Sequence, residues 1–185
     1  MRTRMVLHEK GIDHDVHEVD LGNRGEEFLS VSPYGKVPVV RVNGTSLYES
    51  NIVNEYLDEV YGPPRLMPEG PEERALARSW MAFADDYFFP SIYGARTGPQ
   101  RGLPEEQIRE AKEKPGDALS RLERRLEGTR HLLGGYTLAD VARAGNNFRR
   151  LREPAEGGDV PLRKYPKVVA WMERVEGRES YGASA

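Results

Sequence analysis

The sequence predicts a small α/β domain, then a linker, then an all-helical domain. Between residues 1 and 62, short stretches rich in β-branched residues alternate with stretches of helical periodicity. The segment PPRLMPEGP, residues 63–71, contains four prolines and breaks this pattern. Every strong pattern after it is helical. We therefore predict one domain at 1–62, the linker at 63–71 and a second domain at 72–185.

Composition and charge narrow the class of protein. The chain has 185 residues, of which 38% are hydrophobic and 31% charged, so it is long enough to bury a core. Acidic and basic residues are mixed and the net charge is −3, so no basic patch indicates nucleic-acid binding. The sequence contains no cysteine, which excludes a disulfide, a thiolate zinc site and a cysteine nucleophile within it. Because neither a membrane span nor a signal peptide is recognisable, we expect a cytoplasmic location and no membrane partner.

The first part of the α/β domain is predicted as helix, strand and helix. Residues 3–10 have the pattern of the end of a helix, which Gly11 terminates. The β-branched residues of IDHDVHEVDL, residues 12–21, favour a strand. A short helix follows in GEEFLSVSPYG, residues 25–35, and ends in a turn at its Pro-Tyr-Gly.

The second part of this domain is predicted as a hairpin and a helix. VPVVRVNG, residues 37–44, and TSLYE, residues 45–49, form two strands around the strong turn signal Asn43–Gly44. SNIVNEYLDEVYG, residues 50–62, has apolar residues at helical spacing and ends at a glycine.

Four helical segments follow the linker. The first, residues 72–94, places Leu76, Trp80, Phe83 and Tyr87 on one apolar stripe. The other three are PEEQIREAKEKPGDALSRLERRLEG (104–128), YTLADVARAGNNFRRL (136–151) and YPKVVAWMERVEGRES (165–180). We expect Pro115–Gly116 to split or kink the first of these three. In the second, Thr137 and Asp140 are predicted to form a capping box at the helix start.

Several motifs in this order resemble the cytosolic glutathione transferase superfamily over nearly the whole chain. They are PYGKVPVV, LYESNIVNEYLDEVYGPPRLMPEGPEERALARSW, YTLADVA and YPKVVAWMERVEGRES. The resemblance implies a thioredoxin-like α/β domain followed by an all-α helical bundle, with glutathione as co-substrate, no metal and a homodimer. Within the superfamily the sequence leans equally toward omega-like bacterial proteins and toward stringent starvation protein A, which associates with RNA polymerase.

The resemblance implies that the Val37–Pro38 bond is cis and that Val37 pairs, like a strand, with the cysteinyl backbone of glutathione. An X-Pro bond is the only type at which the cis form is cheap, at about 0.5–1 kcal/mol. The alternative is a plain proline on an edge strand, which sheets tolerate.

Glu49 and Ser50 lie where a predicted strand gives way to a helix. The unpaired N–H groups at a helix N-terminus suit a carboxylate. The resemblance implies that Ser50 holds the γ-glutamyl carboxylate and that Glu49 accepts from the α-ammonium. Alternatively, Ser50 is only an N-cap and Glu49 only a first-turn charge. Arg24 and Lys36 are the candidate cations for the glycyl carboxylate, with solvated surface charges as the alternative.

The family's first strand and the loop after it, which carries a catalytic Tyr, Ser or Cys, have no counterpart here. The sequence starts inside the first helix of the family, and we expect a downstream start-codon assignment or a trimmed sequence. The catalytic residue is therefore unknown. Tyr34 and Tyr48 lie near the predicted site but are interpreted as turn and strand residues.

Two functions remain open from the sequence. One is a glutathione transferase or glutathione-dependent reductase acting on a small electrophile or disulfide. The other is a non-catalytic protein that contacts RNA polymerase. Asp85–Asp86 either face the cleft between the domains or lie on a solvated helix face. Arg143, Asn146 and Asn147 stand where many members are apolar, which indicates altered packing or a polar interface.

Overall fold

The computed structural model describes residues 1–97, 104–144, 146–152 and 162–184. In the N-terminal part of the chain, three helices surround one hairpin. Their bounds are α1 Arg2–Glu9, α2 Glu26–Val31, β1 Val39–Val42, β2 Thr45–Tyr48 and α3 Ser50–Val60. The predictions of α1, α2, the hairpin and α3 are confirmed.

The strand predicted at 12–21 is wrong, because residues 12–20 take no regular structure. A strand is stable only where a neighbouring strand pairs with its N–H and C=O groups. Within the described ranges the sheet contains β1 and β2 alone, and neither pairs with this segment. Its side chains are mostly exposed to solvent, and 52% of the surface of Val16 is exposed. The β-branched residues thus favoured an extended backbone without supplying a partner.

The hairpin turns at the predicted dipeptide. Asn43 and Gly44 both have positive φ, at 49° and 82°, as the tight turn between twisted strands requires. β1 and β2 are antiparallel, with Val39 opposite Tyr48 and Val42 opposite Thr45. The residues that precede β1 and those that follow β2 therefore start from the same end of the hairpin.

The C-terminal part of the described chain is helical. Its elements are α4 Pro71–Ala82, a π-helical segment Phe83–Phe88, α5 Phe89–Thr97, α6 Glu105–Arg125, α7 Leu138–Val141, α8 Asn146–Arg152, a 3₁₀ turn Leu162–Lys164, α9 Pro166–Glu176 and α10 Glu179–Gly182. In the described part of the chain, no helix is both long and apolar enough to cross a bilayer.

The apolar stripe of α4 is offset by one residue from the prediction. Leu76 is 42% exposed, whereas the fully buried side chains are Ala77, Met81, Ala84 and Phe88. The predicted and the observed residues both have helical spacing. The predicted set was favoured because its side chains are larger than the alanines of the observed set. The small alanines instead let neighbouring helices approach closely, and the three predicted aromatic residues flank the core half-buried.

α6 continues through Pro115 and Gly116, so the predicted split of this helix is wrong. Pro115 is buried, and the hydroxyl groups of Ser120 and Tyr165 donate to the Gly116 carbonyl at 2.8 and 3.1 Å. Ala118, Leu119 and Leu122 on the same helix are fully buried. Packing along this face therefore outweighs the lost proline hydrogen bond.

The helix predicted at 136–151 is interrupted after Val141. The N–H groups of Arg143 and Ala144 donate three residues back, to Asp140 and Val141, which tightens the last turn and ends α7. Residue 145 and the side chains of 146 and 147 lie outside the described residues. The predicted polar interface does not include Arg143, whose side chain is fully buried.

The capping box at the start of α7 is confirmed. The Thr137 N–H donates to Asp140 Oδ2 at 2.9 Å, and the Thr137 side chain meets the N–H of Asp140 in return. The second carboxylate oxygen of Asp140 accepts from the Leu132 N–H at 3.1 Å and from Trp171 Nε1 at 2.7 Å. One fully buried carboxylate therefore joins the α6–α7 connection, α7 and α9.

Candidate functional site

The register of the hairpin brings the two sequence-predicted motifs together. Val39 lies opposite Tyr48. Continuing the antiparallel register beyond the strands places the Val37–Pro38 dipeptide opposite the Glu49–Ser50 dipeptide. The Val37–Pro38 peptide bond is cis, and Val37 is 50% exposed. A half-exposed residue, Val37, and the start of α3 therefore adjoin the same end of the hairpin.

Ser32 fixes the loop that leads into Val37. Its hydroxyl accepts from the Lys36 N–H and donates to the Lys36 C=O, both at 2.9 Å. The Gly35 N–H donates to the Ser32 C=O at 2.9 Å and closes a turn. Ser32 is only 1% exposed, so these bonds lie away from water. The sequence analysis missed Ser32, whose only signal is its place before the Pro-Tyr-Gly turn.

Glu49 has an unusual backbone conformation, with φ at 66° and ψ at 109°. Positive φ in a residue other than glycine is costly and is found often at functional sites. Glu49 is the N-cap of α3, and Ser50 is its first helical residue. The alternative that Ser50 serves as the N-cap is therefore wrong, because no side chain caps α3. The first N–H groups of this 11-residue helix lack helical partners and favour an anion.

A polar cluster from two further elements adjoins Ser50. Arg2 of α1 forms an ion pair with Asp85 of the π-helical segment, with Nη1 and Oδ1 2.6 Å apart. The same Nη1 lies 3.4 Å from Ser50 Oγ. Asn51 Nδ2 donates to the other Asp85 oxygen at 2.8 Å. The cluster thus ties the start of α3 to the helical part of the chain.

Of this cluster, only Asp85 was a candidate from the sequence, with the cleft between the domains and a solvated helix face as its two alternatives, of which the solvated face was the preferred one. That interpretation is wrong for Asp85, whose side chain is 38% exposed and ion-paired, whereas Asp86 is exposed. Arg2 and Asn51 were missed. Contacts 83 and 34 residues apart in sequence leave no local pattern, and two acids within an aromatic stretch were the only available signal.

The two candidate cations lie beside the loop that precedes Val37. Arg24 Nε donates to the Leu21 C=O at 3.1 Å, and Arg24 Nη1 lies 3.0 Å from where a Cβ on Gly35 would stand. Gly35 has φ at 57°, so the turn and the close approach both suit glycine. Lys36 is exposed. The structure therefore brings Arg24 and Lys36 to the same loop, without a described contact to Glu49 or Ser50.

Tyr34 and Tyr48 are neighbours at the mouth of the site. Their rings meet edge to face with centroids 5.6 Å apart. Tyr34 is 61% and Tyr48 38% exposed. The contact links the loop before Val37 to the end of β2, next to Glu49. It is consistent with the interpretation of the two tyrosines as turn and strand residues.

No metal-binding group is evident in the described ranges, where no three His, Cys, Asp or Glu side chains converge. His14 instead places Nδ1 2.8 Å from the C=O of Ile12.

Family comparison assigns both parts of the chain. Residues 1–60 match the family described as "Glutathione S-transferase, N-terminal domain". Residues 81–179 match "Glutathione S-transferase, C-terminal domain". Among curated relatives, glutathione S-transferase U28 of Arabidopsis thaliana is 36% identical, with 100% of this chain and 82% of the relative covered. Glutathione S-transferase U25 of the same plant is 34% identical with the same coverage.

Solved structures give the same result. The Tau class glutathione S-transferase MiGSTU from mango, Mangifera indica, is 26% identical with a TM-score of 0.83, over 98% of this chain and 84% of that one. A glutathione S-transferase from Pseudomonas fluorescens is 30% identical with a TM-score of 0.78, over 97% and 90%. Glutathione transferase Omega 3C from Trametes versicolor is 25% identical with a TM-score of 0.79, over 100% and 82%. The predicted fold class, a thioredoxin-like domain followed by an all-helical domain, is confirmed.

Proposed function

Because the chain belongs to the glutathione S-transferase family, we propose that it binds reduced glutathione and directs the thiolate at an electrophile or a disulfide. The observation that carries this proposal is the hairpin register, in which Val39 pairs with Tyr48, so that Val37–Pro38 and Glu49–Ser50 adjoin the same end of the hairpin. One side offers an accessible backbone N–H and C=O, and the other offers the N-terminus of α3. Glutathione has a peptide backbone and a carboxylate that need these two features.

The three positions divide the ligand between them. The backbone of Val37 pairs with the cysteinyl residue, in the manner of an added strand. The N–H groups at the start of α3 and the Ser50 hydroxyl hold the γ-glutamyl carboxylate. Glu49, which is exposed, accepts from the α-ammonium group. The strained backbone of Glu49 sets the direction of its side chain.

Arg24 and Lys36 bind the glycyl carboxylate in this proposal. Both lie beside the loop that carries Val37, so the glycyl end extends along that loop. Arg2 acts from beneath Ser50, where its ion pair with Asp85 holds the start of α3 in place.

Activation of the thiol defines the chemistry. A free thiol has a pKa near 8.5 and is mostly protonated at neutral pH, so a transferase must stabilise the thiolate. We assign no residue of this chain to that role. The thiolate of bound glutathione then attacks an electrophilic carbon or a disulfide sulfur. At carbon it forms a thioether, either as a leaving group departs with its electron pair or as a polarised double bond opens and takes up a proton. At a disulfide it forms a mixed disulfide and releases the second sulfur as a thiol.

We further propose a homodimer. The face formed by α3, the linker and α4 carries arginines and glutamates in an open groove, with Arg65, Arg74, Arg78, Glu55, Glu59 and Glu69 among its lining. Such a mixed patch can pair with itself across a two-fold axis, because one face carries both signs of charge. A monomeric mass in light scattering at micromolar concentration would refute the dimer.

Placement within the family is also a proposal. The plant relatives and the mango structure support a tau-like placement, whereas the sequence alone leaned equally toward omega-like proteins and stringent starvation protein A. The polymerase-associated alternative and the cytoplasmic location stay predictions. Specific retention of RNA polymerase on the immobilised chain, in a pull-down from lysate, would favour the alternative over the enzyme.

The test is thermal unfolding of the chain with increasing reduced glutathione. A ligand at 100 times its dissociation constant stabilises the native state by about 2.7 kcal/mol. We expect a dose-dependent rise in melting temperature that Ser50→Ala weakens. Ser79→Ala, which changes an exposed serine on α4, is the matched control and should respond like the unaltered chain. A cooperative transition that glutathione does not move would overturn the proposal.

A further inference from the structure

Arg143 is the one arginine among the largest fully buried side chains, at 0% exposure. It lies just after α7, at a position where the family resemblance implies a more apolar residue. Burying a charge without a partner is expensive, and such a charge is normally paired with a carboxylate. Arg143 makes no hydrogen bond to a carboxylate, and in the described chain its Nε has no hydrogen-bond partner.

Backbone carbonyls and aromatic rings hold the guanidinium instead. Nη1 donates to the Ala139 C=O at 3.0 Å, and Nη2 donates to the Trp80 C=O at 2.6 Å. The Cζ atom lies 5.1 Å from the ring centroids of both Trp80 and Phe83. These rings meet each other edge to face, 5.4 Å apart. Burial lowers the pKa of Arg143 to about 9, and Asp140 acts to raise it, so the charge persists at neutral pH.

The contacts of Arg143 bracket the point where α4 changes its geometry. Trp80 is in the last turn of α4, and Phe83 begins the π-helical segment. In that segment the Phe89 N–H donates to the Ala84 C=O, five residues back. One extra residue in a turn rotates the side chains after it by about 100°. A donor from outside the helix at the Trp80 carbonyl supports this wider winding.

Asp85 lies within the same segment and is aimed by it. Its two oxygens reach Arg2 at 2.6 Å and Asn51 at 2.8 Å, and Arg2 in turn contacts Ser50. Asn51 also contacts the Met81 C=O, at 3.4 Å, on the preceding turn. Because Asp85 lies within the widened turn, the winding of this segment affects the direction of its side chain.

We propose that Arg143 is a positioning residue, which holds the π-helical winding of Phe83–Phe88 and thereby keeps Asp85 on Arg2 and Asn51 beside the Ser50 site. This inference rests on the proposed glutathione function for its consequence on binding, but its structural part stands without a ligand. It also accounts for a buried charge that stability alone would not retain. Replacing buried ionic groups by apolar residues of similar volume is often neutral or stabilising.

The test is a double-mutant cycle of Arg143→Met and Asp85→Ala in the full chain, with the dissociation constant of reduced glutathione measured by calorimetry. We expect Arg143→Met to weaken binding about five- to tenfold alone, and to add less than about twofold in the Asp85→Ala background. Arg143→Lys should recover little, because one ammonium group cannot span two carbonyls in the guanidinium's fork geometry. Equal losses in both backgrounds, or wild-type affinity in Arg143→Met, would overturn the proposal.

A readout without ligand separates this inference from the proposed function. We expect amide hydrogen exchange at 83–88 to speed up at least about tenfold in Arg143→Met, while the melting temperature stays level or rises. Arg121→Met is the matched control, because Arg121 is exposed and lies over Tyr87 of the same segment at 5.2 Å. Arg121→Met should leave exchange and affinity unchanged. Failure of the unaltered chain to bind glutathione would refute the proposed function. Unchanged hydrogen exchange at 83–88 in Arg143→Met would refute the positioning role, whether or not glutathione binds.

Discussion

Lys10 and Asp58 form an ion pair that is removed from water, with Nζ and Oδ1 2.9 Å apart and side chains 0% and 3% exposed. The Asp58 carboxylate also accepts from the N–H groups of Leu66 and Met67, at 2.8 and 2.9 Å. Lys10 donates in addition to the Pro64 C=O. The pair therefore fastens the linker to α3 and to the end of α1.

We predict that Asp58→Ala lowers the free energy of unfolding by about 3–5 kcal/mol. The substitution leaves a buried ammonium group without its carboxylate and two backbone N–H groups without an acceptor. Urea denaturation at pH 7, monitored by circular dichroism, measures the change. The second substitution Lys10→Met in the Asp58→Ala background should recover part of the loss, because it removes the stranded charge.

The matched control is Glu127→Ala, which breaks the exposed ion pair with Lys167. Exposed pairs contribute about 0–1 kcal/mol, so this variant should stay within that range. A loss from Asp58→Ala no larger than that from Glu127→Ala would contradict the structural role of the buried pair.

We predict that Asp140→Asn is strongly destabilising, by about 2–4 kcal/mol. The buried carboxylate accepts from three groups besides the Thr137 hydroxyl, namely the N–H groups of Leu132 and Thr137 and the Trp171 indole. An amide offers one oxygen, and its NH₂ group would face a donor, which leaves buried donors unpaired. Thermal and urea unfolding report the change. Thr137→Ala, which removes only the cap side chain, should cost about 1 kcal/mol, and an equal cost for both variants would show that Asp140 acts as a cap alone.

The elements that sequence predicted well are those with a local physical signal. Asn43–Gly44 specifies its turn because both residues must adopt positive φ. Thr137 and Asp140 specify the start of α7 because each satisfies the other's backbone. Val37–Pro38 and Glu49–Ser50 could be predicted as site residues from the sequence because each pair lies in one contiguous motif, and that prediction still has to be tested by glutathione binding.

What sequence could not predict depends on contacts between distant residues. The β-branched residues at 12–20 form no strand, since pairing is a tertiary property. Arg143 stands where many family members are apolar. Only the folded chain shows that its guanidinium group donates to the carbonyls of Ala139 and Trp80. Arg2 and Asp85 are 83 residues apart, so only the folded chain shows them as partners.

Acid should weaken the junction between α1 and the C-terminal helix through Glu9. Arg178 binds this carboxylate in a bidentate pair at 2.6 and 2.7 Å, and Ser180 donates a further bond. Burial acts to raise the pKa of Glu9, but these bonds outweigh it and hold the pKa below its ordinary value of 4.5. The stabilisation is therefore complete above pH 4.5 and is lost as the pH falls through the lowered value.

We predict that Glu9→Gln lowers the free energy of unfolding by about 1 kcal/mol at pH 7, because the half-exposed Arg178 loses a charged partner. The difference from the unaltered chain should shrink as the pH falls below 4.5. Urea unfolding between pH 7 and acid measures both slopes. Glu113→Gln, at an exposed position on α6, is the control and should run parallel to the unaltered chain. A gap between Glu9→Gln and the unaltered chain that stays constant with pH would refute the role of the carboxylate.

Ser32 is predicted to control glutathione affinity without touching the ligand. Its hydroxyl holds both the N–H and the C=O of Lys36, the residue before Val37. Ser32→Ala removes both bonds and leaves two part-buried backbone groups of Lys36 without this partner, at a cost of about 1 kcal/mol in the free energy of unfolding. Because the freed loop must be reordered on binding, the dissociation constant of glutathione should rise about three- to tenfold. The comparison is with Ser30→Ala, which removes an exposed bond to the Glu27 C=O on α2 and should change neither quantity. If Ser32→Ala loses stability but keeps full affinity, the position of the loop in the complex does not depend on Ser32 and the prediction is refuted.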